Sequence, residues 1–106
     1  MEYKIQKFLL KHRVKPSLLG FYYIPKAVEI ILKANFTKIK VVDEIYNSIA
    51  MEDKTTTRSV ERAIRHLITT MPEEALEELE INSRENSTVL YALALKFRED
   101  YKSDKN

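Results

Sequence analysis

Along most of the chain, apolar residues recur at spacings of three and four, the period of a helix with one buried side. Ile5, Phe8, Leu9 and His12 keep that spacing across residues 3–13, with lysines between them. Pro16 then opens a short turn of helix, Pro16-Ser17-Leu18-Leu19, that stops at Gly20. Gly20 is the only glycine, and the pattern predicts it just past a helix end, where a left-handed backbone suits a residue without a side chain. Phe21, Tyr22 and Tyr23 form an aromatic cluster, and at least one of the two tyrosines is expected in the core. A helix follows from about Pro25 to Asn35, burying Ala27 or Val28, Ile31 and Leu32.

The stretch from Lys38 to about Met51 also reads as a helix, with Val41, Val42, Ile45, Tyr46 and Ile49 on one side. A polar turn, Glu52 to Thr55, separates it from a helix beginning at Thr56 or Thr57 and ending near Thr70. Pro72 followed by Glu73 and Glu74 reads as a first helical turn, since proline tolerates that position and acids suit the positive end of the dipole. Ala75, Leu76 and Leu79 form its buried side. Residues 82–86 read as a loop. The last helix is expected from about Ser87 to Tyr101, with Leu90, Leu93 or Ala94, Phe97 and Tyr101 inward, and a frayed tail at 102–106. The pattern as a whole predicts an all-α fold: one domain over residues 1–106, a compact bundle of about six helices with a helix-turn-helix at about 38–70.

Composition narrows the function classes. A chain of 106 residues with one glycine and three prolines is poor in the tight turns that small sheet proteins need. The absence of cysteine excludes disulfides and thiolate zinc sites and fits a reducing compartment. No signal-peptide run and no membrane span are visible, so a cytoplasmic protein is expected. The net charge is only +2, but residues 1–71 hold 13 lysines and arginines against 7 acids, and residues 72–106 hold 5 against 9. A basic front and an acidic rear suit a polyanionic partner on one side.

The helix after Thr57 carries the candidate chemistry. Val60, Ala63, Ile64, Leu67 and Ile68 fall within one apolar arc of about 140°. Arg58, Arg62, Arg65 and Thr69 lie opposite its centre, with Glu61 at one margin and Ser59 and His66 at the other. Arginine pairs bidentately with guanine O6 and N7 or grips phosphate, and an α-helix fits the major groove of duplex DNA. Glu61 can accept from cytosine N4. It can equally pair with Arg65 at i+4. Thr55, Thr56 and Thr57 cluster at the helix N-terminus, where hydroxyls and free backbone N–H groups suit phosphate oxygens. Arg58, Ser59, Glu61, Arg62 and Arg65 are therefore the candidates for reading bases, and Thr55, Thr56, Thr57, His66 and Thr69 those for the DNA backbone.

Val60-Glu61-Arg62-Ala63-Ile64-Arg65-His66, preceded by Thr55-Thr56 and by Tyr46-x-x-Ile49-Ala50, resembles the C-terminal effector domain of the sporulation master regulators, the stage zero sporulation protein A family. That family's pattern reads Tyr-Pro-x-Ile-Ala, then Thr-Thr-x-Ser-Arg-Val-Glu-Arg-Ala-Ile-Arg-His. Gly20-Phe21-x-Tyr23-Ile24-x-x-Ala27-Val28 is similar to a second family block, and Asn86-Ser87 fits more loosely. The resemblance implies a bacterial six-helix domain that binds a short operator motif, often as tandem copies, with the Val-Glu-Arg helix in the major groove. It implies that Glu61 reads a base, that Arg62 and Arg65 contact bases or phosphates, and that His66 lies near the backbone.

Three features depart from that pattern. The family's Ser-Arg before the valine is here Arg58-Ser59, so operator preference is expected to differ. The chain starts at the effector domain with Met1 and without the family's receiver, which reads as either an excised fragment or a stand-alone protein, with Met1 and the non-linker start favouring the latter. The segment after the reading helix, where the family is thought to touch RNA polymerase, is the acidic run Glu73 to Glu78 and carries no matching motif.

Other chemistry finds little support. His12 and His66 do not sit at metal-ligand spacing, and His12 is expected to be a partly exposed surface residue. One glycine cannot make a phosphate-binding loop, and no catalytic triad or carboxylate pair is visible. The expected function is thus sequence-specific duplex-DNA binding in transcriptional control, without enzyme activity, cofactor, metal, membrane or small-molecule substrate. RNA polymerase, or a second copy on tandem sites, is a further expected partner. The rival from another class is a helical protein-interaction module that docks through its acidic rear.

Overall fold

The computed structural model describes residues 1–37 and 40–105; the side chains of residues 41–43 and 105 lie outside the described set. Six α-helices appear among the described residues: α1 (Glu2–Lys11), α2 (Gly20–Lys33), α3 (Asn47–Glu52), α4 (Thr57–Thr70), α5 (Glu73–Glu78) and α6 (Asn86–Lys105). A π-helical stretch, Val41–Tyr46, leads directly into α3. α2 lies at the centre and packs against α1, α4 and α6. The core draws Ile5, Phe8 and Leu9 from α1, Ile24, Val28 and Ile31 from α2, Ile64, Leu67 and Ile68 from α4, and Leu90, Leu93 and Phe97 from α6.

Several boundaries differ from the pattern's prediction, each for a tertiary reason. α2 begins at Gly20 rather than Pro25, which stands buried inside the helix. Phe21, Ile24, Val28 and Ile31 continue one buried face across the proline, and that burial outweighs the lost backbone hydrogen bond. Of the two tyrosines, Tyr23 is buried and Tyr22 is exposed. The single helix expected from Lys38 is divided into the π-helical stretch and α3. Lys38 itself, and the inward placement of Val41 and Val42, lie outside the described residues. Ile45, Tyr46 and Ile49 are buried as the pattern predicts.

Residues 16–19 form a non-helical turn instead of the short helix expected, and Gly20 is not a helix terminator. It opens α2 with an ordinary backbone conformation. A Cβ built there would stand 2.6 Å from the Ala63 carbonyl oxygen and 2.8 Å from Leu67 Cβ, so glycine is what lets α2 approach α4 this closely. The left-handed positions at helix ends fall instead to Arg13, Asn35, Phe36, Lys54 and Glu80. After α1, α2, α3 and α5 the chain closes with bonds that reach back five residues: Val14 N–H to Leu9, Phe36 to Ile31, Thr55 to Ala50 and Ile81 to Leu76. These closures satisfy terminal carbonyls without glycine.

α6 runs through Lys105, so the tail expected to fray is helical over its described residues. Ion pairs join its last turns to α1. The Met1 amino group and Lys4 Nζ approach Asp104 at 3.9 and 3.4 Å, and Lys4 also reaches Asp100 at 4.0 Å. Tyr101, expected inward, packs against the core while keeping part of its surface in solvent.

A second polar cluster joins α1, α5 and α6. Glu78 accepts from Lys11 Nζ at 3.1 Å, lies 2.9 Å from His12 Nε2 and pairs with Lys96 at 3.1 Å. His12 is partly exposed, with its side chain 9% exposed and its ring packed edge-on against Phe8. The ammonium groups of Lys11 and Lys96 hold the Glu78 carboxyl down at about 2, from an ordinary 4.5. A carboxyl depressed on folding contributes stability that is present above pH 4.5 and fades as pH falls toward 2. In acid titrations followed by circular dichroism, Glu78→Gln is therefore expected to be less stable than the parent at neutral pH, with the gap closing across that window. A gap that persists unchanged down to pH 2 would contradict the assignment.

Candidate nucleic-acid interface

α3, a turn and α4 form the site. α3 ends at Glu52 and α4 starts after Thr56, whose extended backbone makes it the N-cap. The turn is held to α2 by two contacts: the Tyr23 hydroxyl donates to the Asp53 carboxylate, and Lys26 Nζ pairs with Glu52. The Asp53 hydrogen bond, reinforced by burial, pushes the Tyr23 phenol up to about 12. These contacts fix the turn, and hence the start of α4, against the central helix.

α4 divides cleanly along its length. Val60, Ile64, Leu67 and Ile68 are buried, while Arg58, Ser59, Arg62, Arg65, His66 and Thr69 are exposed. Arg58 and Arg62 make no ion pair among the described residues. Such cations on a convex helix are available to an anionic partner at no cost in internal pairing.

At the N-terminus, Thr56 Oγ1 accepts the Ser59 backbone N–H at 3.0 Å and donates to Ser59 Oγ at 3.0 Å. Two of the predicted contact residues are thus each other's partners. The cap satisfies one terminal N–H, and those of Thr57 and Arg58 remain for an incoming acceptor. Thr55 is half-buried, and its backbone N–H closes α3 on the Ala50 carbonyl at 2.9 Å. Thr69 donates its hydroxyl proton to the His66 carbonyl at 2.6 Å, leaving its oxygen only as an acceptor.

Glu61 stands apart from the other predicted residues. It is half-buried, and one oxygen, Oε2, lies 3.4 Å from Arg65 Nε and 3.3 Å from the Asn86 side-chain amide. The Asn86 amide also donates to the Tyr46 hydroxyl at 2.9 Å. Burial raises the Tyr46 phenol above its usual range, a shift that the Asn86 hydrogen bond opposes.

Two residues at this site carried no signal in the helical pattern. One is Asn86, visible only as part of the loosely matching Asn-Ser pair. The other is Arg84, whose Nη1 donates to the Ile68 and Met71 carbonyls at 2.8 and 2.7 Å and whose Nη2 reaches Glu73 at 3.1 Å. The Ile68 carbonyl also accepts the Met71 N–H at 3.2 Å, and a guanidinium at the C-terminal end of α4 suits the negative end of its dipole. Arg84→Ala is expected to cost about 1–3 kcal/mol in urea denaturation, with faster amide exchange confined to the last turn of α4. Unchanged stability would show that water replaces the guanidinium without loss.

Among the described residues no group of three His, Cys, Asp or Glu is placed to hold a metal ion. No helix there is long and apolar enough to cross a membrane.

Comparison with known families matches residues 5–96 to the model described as sporulation initiation factor Spo0A C terminal. No curated protein and no solved structure matches the chain.

Proposed function

The chain belongs to the Spo0A C-terminal family, a family of DNA-binding effector domains and not of enzymes, and from that premise we propose that it is a sequence-specific duplex-DNA-binding regulator of transcription that inserts α4 into the major groove. The observation that carries this reading is the exposed row of Arg58, Arg62 and Arg65 on a capped helix whose opposite face is locked into the core. Arg62 and Arg65 take base edges or phosphates, Glu61 offers its second oxygen to a base, and Thr57 with the helix N-terminus meets phosphate. Arg58 and Ser59, reversed relative to the family pattern, alter the operator. Action at the nucleoid in the cytoplasm, occupancy of tandem sites by a second copy, and contact with RNA polymerase belong to the same proposal.

The rival docking role loses one acid of the rear, because Glu78 is engaged by Lys11, His12 and Lys96, whereas Glu73, Glu74 and Glu77 stay exposed. Selection of bound duplexes from a randomised pool tests the proposal. The expected outcome is a short enriched motif, lost with Arg62→Ala. A pool that stays random after repeated rounds would defeat it.

A further inference from the structure

Asn86 opens α6, 25 positions along the chain from Glu61, yet its side chain reaches the reading helix. The amide nitrogen has two hydrogens and three acceptors within range. One goes to the Tyr46 hydroxyl at 2.9 Å; the other is shared between the Glu61 carbonyl at 3.4 Å and Glu61 Oε2 at 3.3 Å. That same carboxylate oxygen faces Arg65 Nε at 3.4 Å. The second oxygen of Glu61 and the two terminal nitrogens of Arg65 carry no bond among the described residues. Tyr46 is 3% exposed and anchors the row from the core side.

We propose that Asn86 is a positioning residue for base readout: anchored by Tyr46, it holds one oxygen of Glu61, so that the other oxygen and the Arg65 fork meet the base edges in a preset arrangement. The inference rests on the DNA-reading proposal. Its physical basis is that a glutamate and an arginine held in one rotamer lose less freedom on binding, and lose it only for a base pair that fits the preset geometry. Phosphate contacts on other parts of α4 do not depend on this row, so Asn86 affects discrimination and leaves general affinity alone.

The test uses the full chain, a selected duplex and single-base-pair variants of it, with Asn86→Ala, Tyr46→Phe and Glu61→Ala compared with the parent. Tyr46→Phe removes the anchor without touching α6, and thermal melting confirms that each variant is folded. Asn86→Ala is expected to lose about three- to tenfold in discrimination, the scale of one side chain regaining rotamer freedom. The loss should fall at the base pairs where Glu61→Ala loses it. Tyr46→Phe should do the same more weakly, binding to a scrambled duplex should be unchanged, and the Asn86 and Glu61 changes combined should be no worse than Glu61→Ala alone. Parent-like discrimination in Asn86→Ala, or an equal loss at every position and on scrambled DNA, overturns the inference while leaving the DNA reading standing. A parent chain with no sequence preference overturns both.

Discussion

Gly20→Ala is expected to lower the stability of the fold by about 2 kcal/mol, a fall of about 8–16 °C in Tm for a chain of this size. The added carbon would stand 2.6 Å from a backbone oxygen, which has no rotamer to yield, and 2.8 Å from Leu67 Cβ, which is fixed to its own helix. α2 must therefore move away from α4, opening the packing between the two helices. Alanine's better helix propensity returns at most about 1 kcal/mol, and less at the first position of a helix. Because the displaced contact lies under α4, the proposed reading helix, DNA affinity should fall together with stability. A variant as stable as the parent would mean that the two helices separate freely, and that the close approach has no structural weight.

Arg62→Ala is expected to do the opposite. Arg62 is exposed and unpaired among the described residues, so stability should stay within about 0.5 kcal/mol of the parent. Affinity for the selected duplex should fall by about 1–3 kcal/mol, five- to over a hundredfold, if the guanidinium reads a base. The contrast with Arg65 is informative. Removing Arg65 also frees Glu61 Oε2 from a partner, so its effect combines a lost contact with a repositioned one. Binding by Arg62→Ala equal to the parent's would remove the outward arginine row from the interface.

The two predictions mark where the sequence could be read and where it could not. α4 was legible because its chemistry is local: apolar and basic residues separate at helical spacing, and Thr56 sits where a cap belongs. Gly20 was misread because the same local reasoning assigns a lone glycine to a helix end. Its actual role depends on the backbone of Ala63, more than forty positions away. The left-handed ends went to Arg13, Asn35, Phe36, Lys54 and Glu80, none of which announces the conformation as glycine does. Asn86, Arg84 and the order in the last turn of α6 were hidden for a related reason. Each depends on polar contacts between distant segments, and such contacts leave no period in a sequence. Within the predicted site, Thr56 and Ser59 proved to be partners in a cap, and Glu61 proved to be held from behind.

Duplex-DNA reading stands or falls on the affinity of the parent chain for a selected duplex and for a scrambled one of equal length, measured across a salt series. A sequence-specific DNA-binding chain should show a steep linear fall of log affinity with log salt for both, from released counterions, and a preference of about a thousandfold or more for the selected duplex at physiological salt. Weak binding that ignores both salt and sequence would contradict it.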